Sequence, residues 1–558
     1  MLSQLHAKLL AGPRDADLLF AVAELSFDHA LHGGGQPYYL AAVVYSYDYL
    51  FGPGASERLD VFDPRGRLAA DLYNVGLARG FAVKDSEQIV LQPGPHQLPF
   101  GTLDVSIAPD ALVWGDRRLF DFTSASELGV HGLRNRYRTW GLGAPLNAST
   151  KPLDPTAKTR DFMLPRVRVP VTMLLLPTAE GGTLSSGRLS VRVALYTVSK
   201  QRSVEIGGRA VPLEYEPTSA LAETLGRSDV WSLELGAFLG GDLVRQRLPD
   251  RLGGLEPVRM DKIPVVFVHG TASSPARWAQ MVNDLSNDAD IRQHFQPWVF
   301  AYDTGNPILY SAMLLREALT TVVRDLDPKG RSTCLRQMVL IGHSQGGLLV
   351  KLMVVDSGDR FWRNISDEPF DQADLSQQNR DLLGRTAFFE PLPFVTEAIF
   401  ISTPHRGSYQ AGGFVRNVLQ RLIHFPSDLA RMSTDLLTGD EAGRVARQMN
   451  RVPTSVDNMA PGSPFVQALA ELPIAPDVST HSIIPVLGDG PLADGKDGVV
   501  AYSSAHIEPV DSELVVRGAG HSVQDDPRAI EEVRRLLAEH AAAVFEGDAC
   551  RAPAAVAR

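Results

Sequence analysis

Residues 338–350 read MVLIGHSQGGLLV, an apolar run that ends in Gly342-His343-Ser344-Gln345-Gly346-Gly347 and resumes as an apolar pattern. Met338–Ile341 is β-prone, whereas Leu348, Leu349, Leu352 and Met353 recur at helical spacing. The segment predicts a strand that drives into a sharp turn and leaves it as a helix, with Ser344 at the apex. Such a turn forces strained backbone angles on the serine, and flanking glycines leave room for strand and helix to approach. The hydroxyl is then held out above a sheet. The plainer reading, a glycine-rich turn with a solvated serine, recedes as further parts of a site come into view along the chain.

Upstream, Ile263–Val268 reads as a short buried strand ending in His269-Gly270-Thr271, ahead of a helix-like stretch at 275–285. A glycine there lets the backbone turn so that the Thr271 amide points toward the serine and, with the amide of Gln345, makes an oxyanion hole. Downstream, Glu513–Val516 reads as a last strand, followed by Gly518-Ala519-Gly520-His521-Ser522 and a terminal helix from about Pro527. A histidine between small residues on a loop can lean over a sheet edge, which makes His521 the candidate general base. His343 is expected inside the turn and pointing away from the serine, His269 belongs to the upstream loop, and His405 follows a strand too early in the chain. The acid is expected between serine and histidine in chain order. The loop after the strand 483–487 carries Asp489, Asp494 and Asp497; Asp497 is chosen because it closes the loop just before the chain turns apolar again, with Asp494 in reserve.

These segments resemble an α/β-hydrolase of the lipase and serine-esterase type, on VVFVHGT at 265–271, GHSQGG at 342–347, ISTPHRGS at 401–408, KDGVV at 496–500 and GAGH at 518–521, over roughly residues 256–548. The alternation of strands near 263–268, 297–302, 338–342, 397–402, 483–487 and 513–517 with helical patterns near 275–285, 309–325, 346–356 and 528–545 independently predicts α/β, a doubly wound, mostly parallel sheet covered on both faces. Two insertions interrupt it, at about 359–392 and 409–480. The first carries Phe361, Trp362, Phe388 and Phe389, and the second an amphipathic stretch at Phe414–Ile423. The resemblance implies cap or lid segments that build an apolar acyl pocket; rigid decoration is the alternative. It also implies that Ser344 acts as nucleophile, His521 as base and Asp497 as the orienting acid, with no metal and no cofactor.

The first 86 residues carry alanine-rich apolar patterns that suggest three or four packed helices. Residues 87–255 change to β-type segments separated by Pro and Gly, read as a small β-sandwich at 87–215 and a linker. The stretch HGLRNRYRTWGLGAPLNAS at 131–149 reads either as a binding loop or as a packed surface loop. Residues 549–558 are expected to be a flexible tail.

A chain of 558 residues predicts about two to four domains, and 44% hydrophobic content fits a globular protein. A net charge of −11 argues against nucleic acid as partner. No run reaches the length of a membrane span and no signal-peptide pattern opens the chain, so the protein reads as soluble and cytoplasmic as written, or exported if its start is truncated. The two cysteines, Cys334 and Cys550, are expected as free thiols. The reading is a serine esterase acting on hydrophobic acyl esters or polyesters, with contact to a lipid interface compatible. Amidase, thioesterase or acyltransferase chemistry on the same residues is the near alternative, and a non-catalytic binding scaffold the distant one.

Overall fold

The computed structural model describes residues 1–12, 15–53, 55, 63–154, 162–197, 201–227, 252–409, 453–546 and 550. They divide into two compact units, residues 1–158 with 166–227 and residues 159–165 with 228–558.

The first unit opens with helices Leu2–Ala11, Ala16–His29, Gln36–Phe51 and Pro64–Gly80. Two start where an aspartate can satisfy the free amides of a first turn: Asp15 accepts from the amides of Asp17 and Leu18, and Asp63 from that of Arg65. Strands β1 (Gln88–Ile89), β2 (Gly94–Leu98), β3 (Gly101–Ile107), β4 (Val113–Trp114), β5 (Arg117–Ser124), β6 (Ala144–Pro152), β7 (Arg168–Thr183) and β8 (Arg188–Thr197) follow. Rather than stacking as two separately bonded sheets, they pair along one path, β1-β5-β6-β7-β8-β3-β2, with β4 beside β5. Residues 171–176 of β7 are buried on both faces, and helices Pro64–Gly80 and Pro217–Arg227 pack on β6 and on β6 and β7, supplying cover that a second sheet would otherwise give. Tyr73, fully buried on the first of these helices, ties it to the sheet by bonds of 2.8 Å to both the carbonyl and the amide of Leu175. A two-stranded ribbon of β9 (Ser203–Ile206) and β10 (Arg209–Pro212) completes the strands described there.

The second unit is built on seven strands, β11 (Leu252–Gly254), β12 (Ile263–Val268), β13 (Phe295–Phe300), β14 (Met338–His343), β15 (Val395–Ile401), β16 (Ser479–Val486) and β17 (Ser512–Arg517). Their order is β11-β13-β12-β14-β15-β16-β17, parallel throughout except for β11. The antiparallel edge strand β11 has no counterpart in the sequence reading; three residues, two of them glycine, carry no usable periodicity. Phe162–Leu164 lies along β11, with bonds from Leu164 N to Gly254 O and from Gly254 N to Phe162 O.

Period-two alternation sorts the sheet's side chains onto two cores. Val266, Val268, Leu340 and Phe400 face helices Ile308–Leu326 and Gln345–Lys351 through Leu315, Leu319 and Leu349. Val265, Phe267, Val339, Ile341 and Ile399 face helices Ala279–Asn287 and Pro527–Glu546 through Met281, Leu285, Val533 and Leu537. Each such side chain removed from water contributes about 2 kcal/mol, and this two-faced burial is what an all-parallel sheet requires.

The chain leaves β12, adds β13 on one side, and then crosses back to place β14 on the other. Strand order therefore reverses at β12, and the loops at the carboxyl ends of β12 and β14 diverge around a crevice. Within the insertion 359–392, helices Arg360–Arg363 and Gln377–Ala387 are packed elements: Phe361 and Trp362 are buried, Phe361 stacking on Phe389 and Phe465. The stretch Phe414–Ile423 of the second insertion lies outside the described residues.

The expectation of free thiols is corrected. Cys334 and Cys550 form a disulfide with Cα atoms 4.4 Å apart, and both are buried. The C-terminal helix Pro527–Glu546 packs on the same sheet face as Cys334, so the chain beyond it returns to the turn Cys334–Arg336 that leads into β14. Residue 550, placed by the sequence reading in a flexible tail, is thus anchored; residues 549 and 551–558 lie outside the described residues. Among the described residues no helix is long and apolar enough to cross a membrane.

Candidate active site

Ser344 follows β14 directly and caps the helix Gln345–Lys351, with φ 54° and ψ −122°. This is a conformation L-residues rarely adopt, and it turns the chain from strand to helix within one residue. The Ser344 amide donates to Ile401 O at 2.8 Å, locking the turn to β15. A Cβ on Gly346 would lie 2.3 Å from the carbonyl oxygen of Val268, so the helix can pass this close to β12 only with glycine there.

His521 and Asp497 meet the serine. His521 Nε2 lies 2.9 Å from Ser344 Oγ, and His521 Nδ1 lies 2.7 Å from Asp497 Oδ2. The second oxygen of Asp497, Oδ1, accepts the amides of Val499 at 2.7 Å and Val500 at 2.6 Å. An ionised carboxylate only accepts, so Nδ1 carries the imidazole proton, and Nε2 is left to accept from the serine hydroxyl. Asp497 is buried, whereas Asp489 and Asp494 are exposed on the same loop.

The loop after β12 approaches the same place. A Cβ on Gly270 would lie 2.9 Å from Ser344 Cβ, so the absence of a side chain lets Thr271 draw alongside the turn. Thr271 Oγ1 donates to Gln345 Oε1 at 2.6 Å, and Gln345 Nε2 donates to Thr304 O at 3.2 Å, tying together the loops that end β12, β13 and β14. Among the described residues neither the Thr271 amide nor the Gln345 amide has a hydrogen-bond acceptor. Backbone amides with no acceptor are groups that can receive a developing negative charge.

The other histidines are engaged differently. His269 is buried and stacked on Tyr302, and burial pushes its pKa down to about 4. His343 donates to the backbone carbonyl of His521. His405 is fully buried, both its ring nitrogens lack a hydrogen-bond partner among the described residues, and burial holds it well below the ordinary histidine range. Among the described residues no group of three or more His, Cys, Asp or Glu is arranged to hold a metal ion.

The motif ISTPHRGS, quoted without roles in the sequence reading, clasps the loop that carries Asp497. Arg406 Nη1 donates to Ser503 O at 2.9 Å and also to His506 O, and the Arg406 amide donates to Ser504 Oγ at 3.1 Å. Ser504 Oγ donates to Gly407 O at 2.6 Å, and Ser408 Oγ to Val499 O at 2.7 Å. The only sequence sign of this clasp was the density of Ser, Arg and Gly after an apolar strand.

A family model described as the alpha/beta hydrolase family matches residues 265–533. This segment belongs to that family. The hydrolase unit carries the family's doubly wound sheet, and it holds the serine turn, the histidine loop and the acid loop described above. No curated protein matches the sequence. Among solved structures, the hydrolase is similar to the mature lipase BlEst2 of Bacillus licheniformis, at 15% identity over 51% of this chain and 97% of that one, with a TM-score of 0.30. It is similar also to esterase B from Lactobacillus rhamnosis, solved with a tributyrin phosphonate inhibitor, at 13% identity over 53% and 81% of the two chains with a TM-score of 0.28. An esterase of Thermogutta terrifontis matches at 13% identity over 53% and 88%, with a TM-score of 0.27.

Proposed function

We propose that the hydrolase unit cleaves carboxylic esters with hydrophobic acyl groups through a Ser344–His521–Asp497 triad. The observation that carries this reading is the continuous chain of contacts from Asp497 Oδ2 through His521 to Ser344 Oγ, at 2.7 and 2.9 Å. His521 takes the serine proton as Oγ attacks the ester carbonyl, and Asp497 orients the imidazole and stabilises its positive charge. The amides of Thr271 and Gln345 hold the oxyanion, each contributing on the order of 3 kcal/mol to the transition state. The imidazolium protonates the departing alkoxide, and water, activated by the same imidazole, releases the acid.

The test is turnover of p-nitrophenyl esters from acetate to palmitate by wild type and Ser344→Ala, beside labelling with a fluorophosphonate. Turnover and labelling that both vanish in the variant support the serine esterase, and the chain-length optimum defines the acyl group. Labelling at Ser344 without ester turnover would transfer the triad to amide, thioester or acyl-transfer chemistry. Wild type that neither turns over nor labels would overturn the catalytic reading in favour of a binding scaffold.

A further inference from the structure

The loop that carries His521 has little of its own to hold it. Among the described residues Ala519–His521 make no hydrogen bond with another main-chain group. Yet the carbonyl oxygen of His521 accepts two side-chain bonds, from His343 Nε2 at 2.9 Å and from Ser402 Oγ at 3.0 Å. The donors stand at the ends of neighbouring strands: His343 is the last residue of β14, and Ser402 follows β15 immediately. We propose that His343 and Ser402 are positioning residues that fix the His521 backbone, and through it the imidazole, against Ser344. This rests on the triad reading above.

Two further observations carry it. Ser402 sits at φ 51°, a left-handed conformation that costs a non-glycine residue on the order of 1–3 kcal/mol. Strain of this kind persists where surrounding structure enforces it, and here it accompanies the bond of the Ser402 hydroxyl to His521 O. His343, for its part, is pushed down to about 3, first by burial and then by the neighbouring His521. It is therefore neutral near pH 7. Because a carbonyl only accepts, its proton is on Nε2. It grips the loop without adding a positive charge where its ring centroid lies 5.1 Å from that of His521, whose imidazole becomes cationic during turnover.

The experiment compares wild type with His343→Leu, His343→Gln and Ser402→Ala. It reads kcat and KM on a p-nitrophenyl ester, the rate of fluorophosphonate labelling, the melting temperature, and the strongly deshielded proton between His521 Nδ1 and Asp497 by proton NMR. Loosening the base is expected to lower kcat and labelling rate about tenfold in His343→Leu and in Ser402→Ala. KM and melting temperature hold, the deshielded proton broadens, and glutamine, which keeps an N–H donor, restores most of the rate. Unchanged kcat and labelling in both, or a loss shared by His343→Gln and matched by a fall in melting temperature, overturns the proposal. Should His343→Leu not fold, Ser402→Ala decides, since it removes a single oxygen atom. Wild type that fails to label overturns the triad reading and this proposal with it; normal wild-type labelling with unaffected variants overturns this proposal alone.

Discussion

Cys334 and Cys550 are 216 residues apart in sequence and disulfide-bonded, and the loop they close contains Ser344, Asp497 and His521. Such a bond stabilises chiefly by removing freedom from the unfolded chain, and for a loop this long the expected contribution is about 3–5 kcal/mol. Cys550→Ser is expected to melt on the order of 10 °C lower than wild type. A thiol reductant should bring wild type down to the variant's value and leave the variant unmoved, as scanning calorimetry with and without reductant will read. Alkylation of the unreduced, denatured protein is expected to add nothing to its mass. Two adducts would mean that the thiols are free after all.

Asp497→Asn makes a sharper demand on the site. Oδ1 of Asp497 is held by two amides, of Val499 and Val500, at 2.7 and 2.6 Å. In the asparagine variant this position must remain an oxygen, which turns the new NH2 toward His521 Nδ1. Nδ1 then has to accept, the imidazole proton moves to Nε2, and Nε2 can no longer accept from Ser344. A fall in kcat on the order of 10³–10⁴-fold, with KM and melting temperature near wild type, follows from the wrong tautomer. A variant within tenfold of wild type would remove Asp497 from the acid's role.

How far the sequence could be read differs from part to part for physical reasons. Strands β12 and β14 announce themselves because a strand buried on both faces has to be apolar at every position, and Ser344 because a strand-to-helix turn needs its glycines. Asp497 was separable from Asp489 and Asp494 only by its place before an apolar stretch; the structure separates them by burial. The bonds from His343 and Ser402 to His521 O were illegible, since they depend on where side chains point from two strands at once. The disulfide was equally hidden, because its partners meet only after the C-terminal helix has packed along the sheet. The β-rich stretch was legible as strands, but its pairing into one path was not, since helices rather than a second sheet cover β7.

His405 costs the fold stability in acid. It is fully buried, its two ring nitrogens have no partner among the described residues, and burial keeps it neutral well below the ordinary value of 6.5. An unfolded chain takes up a proton near 6.5 that the folded chain refuses, so stability falls as pH drops below that point. His405→Leu leaves no orphaned donor or acceptor and no such proton. It is expected to gain about 1–3 kcal/mol at neutral pH and to lose stability less steeply between pH 6.5 and 4 in urea unfolding. A variant less stable than wild type at every pH would show that the imidazole has a bonding partner.

Lys351 produces a slope of the same sign in alkali. It closes the helix that begins after Ser344, is 3% exposed, and is pushed down from 10.5 to about 8, first by burial and then by Arg406. Below pH 8 the folded protein bears the full penalty of a buried charge. Between pH 8 and 10.5 the unfolded chain still holds the proton that the folded chain has released, so stability rises with pH through that window. Lys351→Met keeps the length of the side chain and removes its charge. The variant is expected to exceed wild type by about 2–3 kcal/mol at pH 7, with the advantage shrinking toward zero by pH 10.5. Urea unfolding of both proteins at pH 7, 9 and 10.5 measures it; a gain that stays constant with pH would assign the effect to packing, and a loss at pH 7 would mean that the ammonium is paired in the folded protein.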